Sequence, residues 1–158
     1  MERDSRITRR FLLTAAAAVA ASGLAEAAAA PASGNRKATY PAAFMWGAAT
    51  SGYQTEGNVV GADLWVLENV KPTIFAERSG DACDSYHRYE EDIALLKSFG
   101  FDTYRFSLEW ARIEPEAGTF SNAELDHYKR VIDACRRNGV KPAVTFNHWT
   151  CPRWFASA

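Results

Sequence analysis

The apolar residues of this chain repeat with two different periods in alternation, and that alternation limits the folds open to it. Phe44 to Thr50 is a short apolar run ending in small residues, which predicts a buried strand. Tyr86, Tyr89, Ile93, Leu96 and Phe99 then recur three and four residues apart. That stripe predicts a helix over Asp84 to Phe99, with Asp84 as N-cap and Gly100 as its stop. Thr103 to Leu108 is a β-prone run. Asn122 to Asn138 predicts a second helix, with Leu125, Tyr128, Val131, Ile132 and Cys135 on one face and Gly139 closing it. Val140 to Asn147 predicts a third buried strand. Ser51 to Asp81, with Gly52, Gly57, Gly61, Pro72 and Gly80, reads as mostly loop with a short helical turn near Trp65. Strand and helix patterns in this order predict parallel βαβ units, an α/β fold. Three strands and two helices amount to less than half of a (β/α)8 barrel, which takes ~250 residues.

The first thirty residues stand outside that pattern. Arg3, Arg6, Arg9 and Arg10 form a basic start, and Phe11 to Ala21 is a weakly hydrophobic, Ala-rich stretch too short to span a bilayer. Small residues around Leu24-Ala25-Glu26-Ala27 then read as a cleavage site. Thr8-Arg9-Arg10-Phe11-Leu12-Leu13 looks like a twin-arginine signal, with Leu13 in place of the usual lysine. Residues 1–30 are therefore expected to be a signal peptide read by the twin-arginine export machinery. Residues 31–39 are expected to be a linker, and 40–158 the folded part. The expected location is periplasmic or extracellular, with no stable membrane insertion.

With a net charge of -1 over 158 residues, the chain has no strong pull toward nucleic acid or an anionic membrane surface. Its aromatic share of 13% suits either a thick core or a site where indole faces stack on sugar rings. Cys83, Cys135 and Cys151 are too few and too irregularly spaced for a disulfide framework or a zinc site, and are expected to be buried thiols.

If the βαβ units continue into a barrel, polar residues at the C-terminal ends of the strands are functional candidates. The first strand leads to Tyr53-Gln54-Thr55-Glu56, the second contributes Arg105, and the third ends at His148-Trp149. An amide and an imidazole can bond neighbouring hydroxyls, an indole can pack on a sugar ring face, and Arg can hold a carboxylate in its ionised form. Taken singly, each also fits a plain structural role: a strand Arg in a salt bridge, a satisfied core His, a core Trp.

Three blocks of the chain resemble glycoside hydrolase family 1, the β-glucosidase family. They are FMWGAATSGYQTEG from Phe44 to Gly57, DSYHRYEEDIALLKSFGFDTYRFSLEWARIEP from Asp84 to Pro115, and NGVKPAVTFNHWTCPRWF from Asn138 to Phe155. The resemblance implies a (β/α)8 barrel, of which about the first three strands and two helices are present. It also implies a retaining mechanism with two glutamates ~5–5.5 Å apart, needing no metal or organic cofactor. In the family the acid/base lies in a T-x-N-E-P stretch and the nucleophile in T-E-N-G. Neither string occurs here, so no catalytic glutamate is assigned and the chain is expected to be incomplete and inactive by itself. The resemblance assigns Gln54, His148 and Trp149 to sugar binding. It assigns Arg105 to holding the nucleophile ionised, by opposite charge nearby. The expected partner is a β-glycoside or oligosaccharide.

Two departures from the family pattern concern the loops. Asn58 stands where a small residue is usual, and H-W-D-x-P reads His148-Trp149-Thr150-Cys151-Pro152, without its Asp. Other readings stay open: a carbohydrate-binding pseudo-enzyme, or a related barrel glycosidase such as a β-galactosidase or cellulase.

Overall fold

The computed structural model describes residues 40–157, so the expected signal peptide and linker lie outside the described residues. The chain divides into Met1–Pro41 and Ala42–Ala158, and every element belongs to the second unit. In chain order these are β1 (Gly47–Ala49), α1 (Gly52–Thr55), α2 (Asp63–Asn69), α3 (Ser85–Ser98), β2 (Thr103–Ser107), α4 (Trp110–Ile113), α5 (Asn122–Arg137), β3 (Lys141–Thr145) and α6 (Arg153–Ala156).

The three strands form one parallel sheet in the order β1-β2-β3. Side chains alternate across its two faces, as the strand period requires. Tyr104 and Phe106 point to the face covered by α3 and α5, and join Ile93, Leu96, Tyr128, Val131, Ala134, Cys135 and Val140 in the main core. Arg105, between them in sequence, is exposed on the opposite face. There it lies beside Ala49 of β1 and Ala143 of β3 in register, so both of its strand neighbours are small. The expected strands 44–50 and 140–147 are trimmed at both ends. The third is half-exposed along most of its length rather than buried.

The two long helices fall where the apolar stripes put them, but their ends differ from expectation. Asp84 precedes α3 in the left-handed region (φ 53°) and its side chain makes no cap bond; its Oδ1 instead meets His87 Nδ1 at 2.6 Å. Gly100 does stop α3, at φ 85°, with its N–H donating to the Lys97 carbonyl. Phe99, expected on the buried stripe, is 70% exposed, so the stripe ends at Leu96. The cap of α5 comes from Ser121, whose Oγ accepts from the Glu124 N–H at 3.3 Å.

The stretch read as loop holds a second, smaller core. Tyr53, Val59, Ala62 and Ala111 are buried together against Leu64 and Trp65, which ties α1, α2 and α4 into one layer above the sheet ends. The helical turn expected near Trp65 is α2. Gly57 makes the layer possible: its φ is 80°, and a Cβ there would collide with the Asp81 carbonyl. Among the cysteines only Cys135 is buried. Cys83 is exposed and Cys151 half-buried, contrary to expectation, because both sit on loops rather than on a packed helix face.

Candidate functional site

Two loops build the site. The first follows β1, where Gln54 sits on α1 rather than at a strand end. It is exposed, and Ser51 Oγ donates to its Oε1 at 2.8 Å. The second follows β3. Here Trp149 occupies the left-handed region (φ 62°), a conformation rare for a bulky residue and costing on the order of 1–3 kcal/mol. The turn around it is closed by the Thr150 N–H donating to the His148 carbonyl at 2.9 Å. It is also closed by Asn147 Nδ2 donating to the Thr150 carbonyl. The turn lifts the indole into solvent, 59% exposed, edge-on to the His148 ring at 4.7 Å.

The second loop is pinned to the start of α2. The Cys151 N–H donates to Asp63 Oδ1 at 3.1 Å, the Asp63 N–H returns a bond to the Cys151 carbonyl, and the Arg153 N–H donates to the Gly61 carbonyl. Gln54 and Trp149 thereby line one groove, together with Tyr53, Leu64, Glu68, Phe75 and Ser79. Its far wall is held by Glu68, whose buried Oε2 accepts from both the N–H and the Oγ of Ser79 at 2.9 Å. Burial pushes the Tyr53 hydroxyl, beside that pair, well above the usual phenol range. Arg105 is not at a strand end and does not line the groove. It stands in the middle of β2, on the sheet face away from the helices.

Beneath the groove lies a buried polar cluster that the sequence reading missed. Glu56 receives Arg112 Nε at 2.9 Å and the Tyr128 hydroxyl at 2.9 Å. Tyr128 in turn accepts the Glu109 N–H at 3.0 Å. Arg112 also donates to the Gly57 carbonyl and lies over the Tyr86 ring at 4.4 Å. Burial raises the Glu56 carboxyl, against the pull of Arg112 and the Tyr128 bond. Glu109 is pushed up to about 7 by burial first and by the Glu56 charge second. Its partner is the Thr150 hydroxyl. One sequence signal pointed here: Thr150 stands where the family pattern has an Asp.

Neither glutamate is built to act on a sugar. Both are sealed beneath the groove, and both spend their oxygens on protein donors. The groove rim can do other work: an amide and an exposed indole facing one opening suit a ligand with both hydroxyls and an apolar ring face.

Residues 36–157 match the model of Glycosyl hydrolase family 1. The chain is 44% identical over 124 residues to Beta-glucosidase A of Acetivibrio thermocellus, covering 74% of this chain and 28% of that one. It is 43% identical over 121 residues to the Coniferin beta-glucosidase of Pinus contorta, covering 72% of this chain and 24% of that one. The crystal structure of beta-glycosidase BGL167 superposes with a TM-score of 0.72 at 61% identity, over 73% of this chain and 28% of that chain. The chain thus spans about a quarter of the length of the relatives it matches. The shared architecture is a (β/α)8 barrel, of which the described residues hold three parallel strands.

Proposed function

Because this chain belongs to glycosyl hydrolase family 1, we propose that it carries one side of the sugar-binding rim of a retaining β-glycosidase, β-glucosidase-like in its substrate. The observation that carries this reading is that Gln54 and Trp149, from loops far apart in sequence, line one groove. The Gln54 amide bonds ring hydroxyls, His148 bonds a neighbouring hydroxyl, and the Trp149 indole packs on the apolar face of the ring. Arg105 is exposed between two alanines on the sheet face away from the helices, the face that would line the interior of a closed barrel. It keeps the nucleophile ionised by opposite charge. The two reacting glutamates come from motifs that these 158 residues do not contain, so the 158 residues alone are expected to be inactive. The reaction needs two carboxylates and water, without a metal. Arg9 and Arg10 direct the chain to twin-arginine export, and hence to a periplasmic or extracellular site.

The test uses an enzyme in which these residues are joined to both glutamate motifs, with an aryl β-glucoside as substrate. Bonds to sugar hydroxyls tighten as the ring flattens toward the oxocarbenium-like transition state. Gln54→Ala and His148→Ala should therefore each lower kcat as well as raise KM, for a loss in kcat/KM of about a hundredfold or more. Near-normal kinetics in either folded variant would remove that residue from the sugar site.

A further inference from the structure

Glu109 touches both loops of the groove. It is 1% exposed and lies two residues beyond the end of β2. The Thr150 hydroxyl lies 3.1 and 3.3 Å from its two oxygens, and the start of α1 at Gly52 packs against its other side. Thr150 directly follows His148-Trp149, and Gly52 opens the helix that carries Gln54. One buried carboxylate therefore bonds to the residue after Trp149 and packs against the start of the helix that carries Gln54.

The surroundings are shaped to keep that carboxylate where it is. A Cβ on Gly52 would lie 2.8 Å from Glu109 Cγ and Oε1, so only a bare backbone lets α1 start against it. The Gly52 N–H donates to Ser107 Oγ at 2.7 Å, which fixes α1 to the end of β2. The Glu109 backbone is anchored from α5 through the Tyr128 hydroxyl at 3.0 Å. Deleting the carboxylate would leave the buried Thr150 hydroxyl without its acceptor, an arrangement folded proteins avoid, and would empty the space beside Gly52.

We propose that Glu109 is a positioning residue that sets the separation of Gln54 and Trp149, acting through the Thr150 hydroxyl and its packing against Gly52 at the start of α1. The proposal rests on the reading of Gln54 and Trp149 as sugar ligands. It explains the missing Asp of the H-W-D-x-P pattern: here the loop supplies a hydroxyl and the carboxylate comes from the segment after β2. A buried hydrogen bond of this kind, costly to leave unmade, suits a strained turn such as that at Trp149.

The experiment compares Glu109→Ala, Glu109→Gln, Thr150→Val and the Glu109→Ala/Thr150→Val double variant in the complete enzyme. Two readouts are used: kcat/KM on an aryl β-glucoside, and hydrogen exchange of segments 51–56 and 147–152, with α5 as internal reference. Glu109→Ala should speed exchange in both segments together while α5 stays as it was, and lower kcat/KM about tenfold. Thr150→Val should reproduce the change in 147–152. The double variant should be no worse than Glu109→Ala, and Glu109→Gln, which keeps an acceptor oxygen, should recover most of the loss. Wild-type exchange in both segments of Glu109→Ala, or losses that add in the double variant, would overturn the proposal. An unfolded Glu109→Ala protein passes the decision to Thr150→Val and Glu109→Gln. If the wild-type enzyme cleaves no glycoside, the functional reading fails on that result, and the exchange data alone decide whether Glu109 ties the two loops.

Discussion

Two buried titratable side chains, Glu109 and His127, make opposite contributions to stability as pH changes. Glu109 has its folded pKa raised to about 7, by burial and by Glu56. Between its unfolded value near 4.5 and 7 the folded state binds the extra proton, so this group's contribution falls as pH rises through that window. His127, stacked on Tyr86 at 3.9 Å, is lowered to about 4, by burial first and nearby arginines second. Its contribution is lost as pH falls from about 6.5 toward 4. In the complete enzyme, Glu109→Gln should remove the first dependence. The variant should gain on the wild type between pH 4.5 and 7, by on the order of 2 kcal/mol. Unfolding midpoints of the two proteins across that range check it; a difference independent of pH would contradict it.

The same residues mark how far the sequence could be read. The exposure of Gln54 and Trp149 was legible because each lies in a segment that follows a strand, where a polar or aromatic side chain has no core to join. The pairing of Glu109 and Thr150 was not. Their relation depends on two loops meeting in space, and a glutamate outside a catalytic motif gives no signal that its carboxylate is buried. Phe99 misled for a physical reason: it keeps helical spacing, but it falls at the C-cap, past the last turn that faces the sheet.

At the level of elements, the long helices and β2 were readable because periodicity over three or more turns, or five alternating residues, outweighs local noise. The four-residue helices α1 and α4 lie below the length at which a helix supports itself, so tertiary contacts alone decide them. Gln54 on α1 is held by such contacts, the Gly52–Ser107 bond among them. The two long helices also differ at their starts. Ser121 closes α5 with a real cap bond, while Asp84 precedes α3 without one. Ser121→Ala should cost about 1 kcal/mol. Asp84→Asn, which keeps a residue tolerant of positive φ, should stay within about 0.5 kcal/mol of wild type. Denaturant titrations of both variants decide it, and a larger loss for Asp84→Asn would contradict the cap assignment.

For the whole molecule, the parallel sheet gives the site its direction. Each strand runs toward the same rim, so β1 and β3 deliver their following loops to one place, while β2 delivers Glu109 beneath them. The opposite sheet face carries Arg105 between Ala49 and Ala143, open toward what a barrel interior would hold. Among the described residues no helix is long and apolar enough to cross a membrane. The sequence blocks pointed to this architecture, and the family match together with the 0.72 superposition on a β-glycosidase bears that out.

This rim is proposed to serve a retaining β-glycosidase. Proton NMR of the anomeric region, in the first minutes of aryl β-glucoside cleavage by the complete enzyme, tests it most directly. Two displacements at the anomeric carbon preserve its configuration, so β-glucose should appear first and the α-anomer only later, at the rate of mutarotation in water. Early accumulation of α-glucose, or no cleavage by a folded protein bearing both glutamate motifs, would contradict the account.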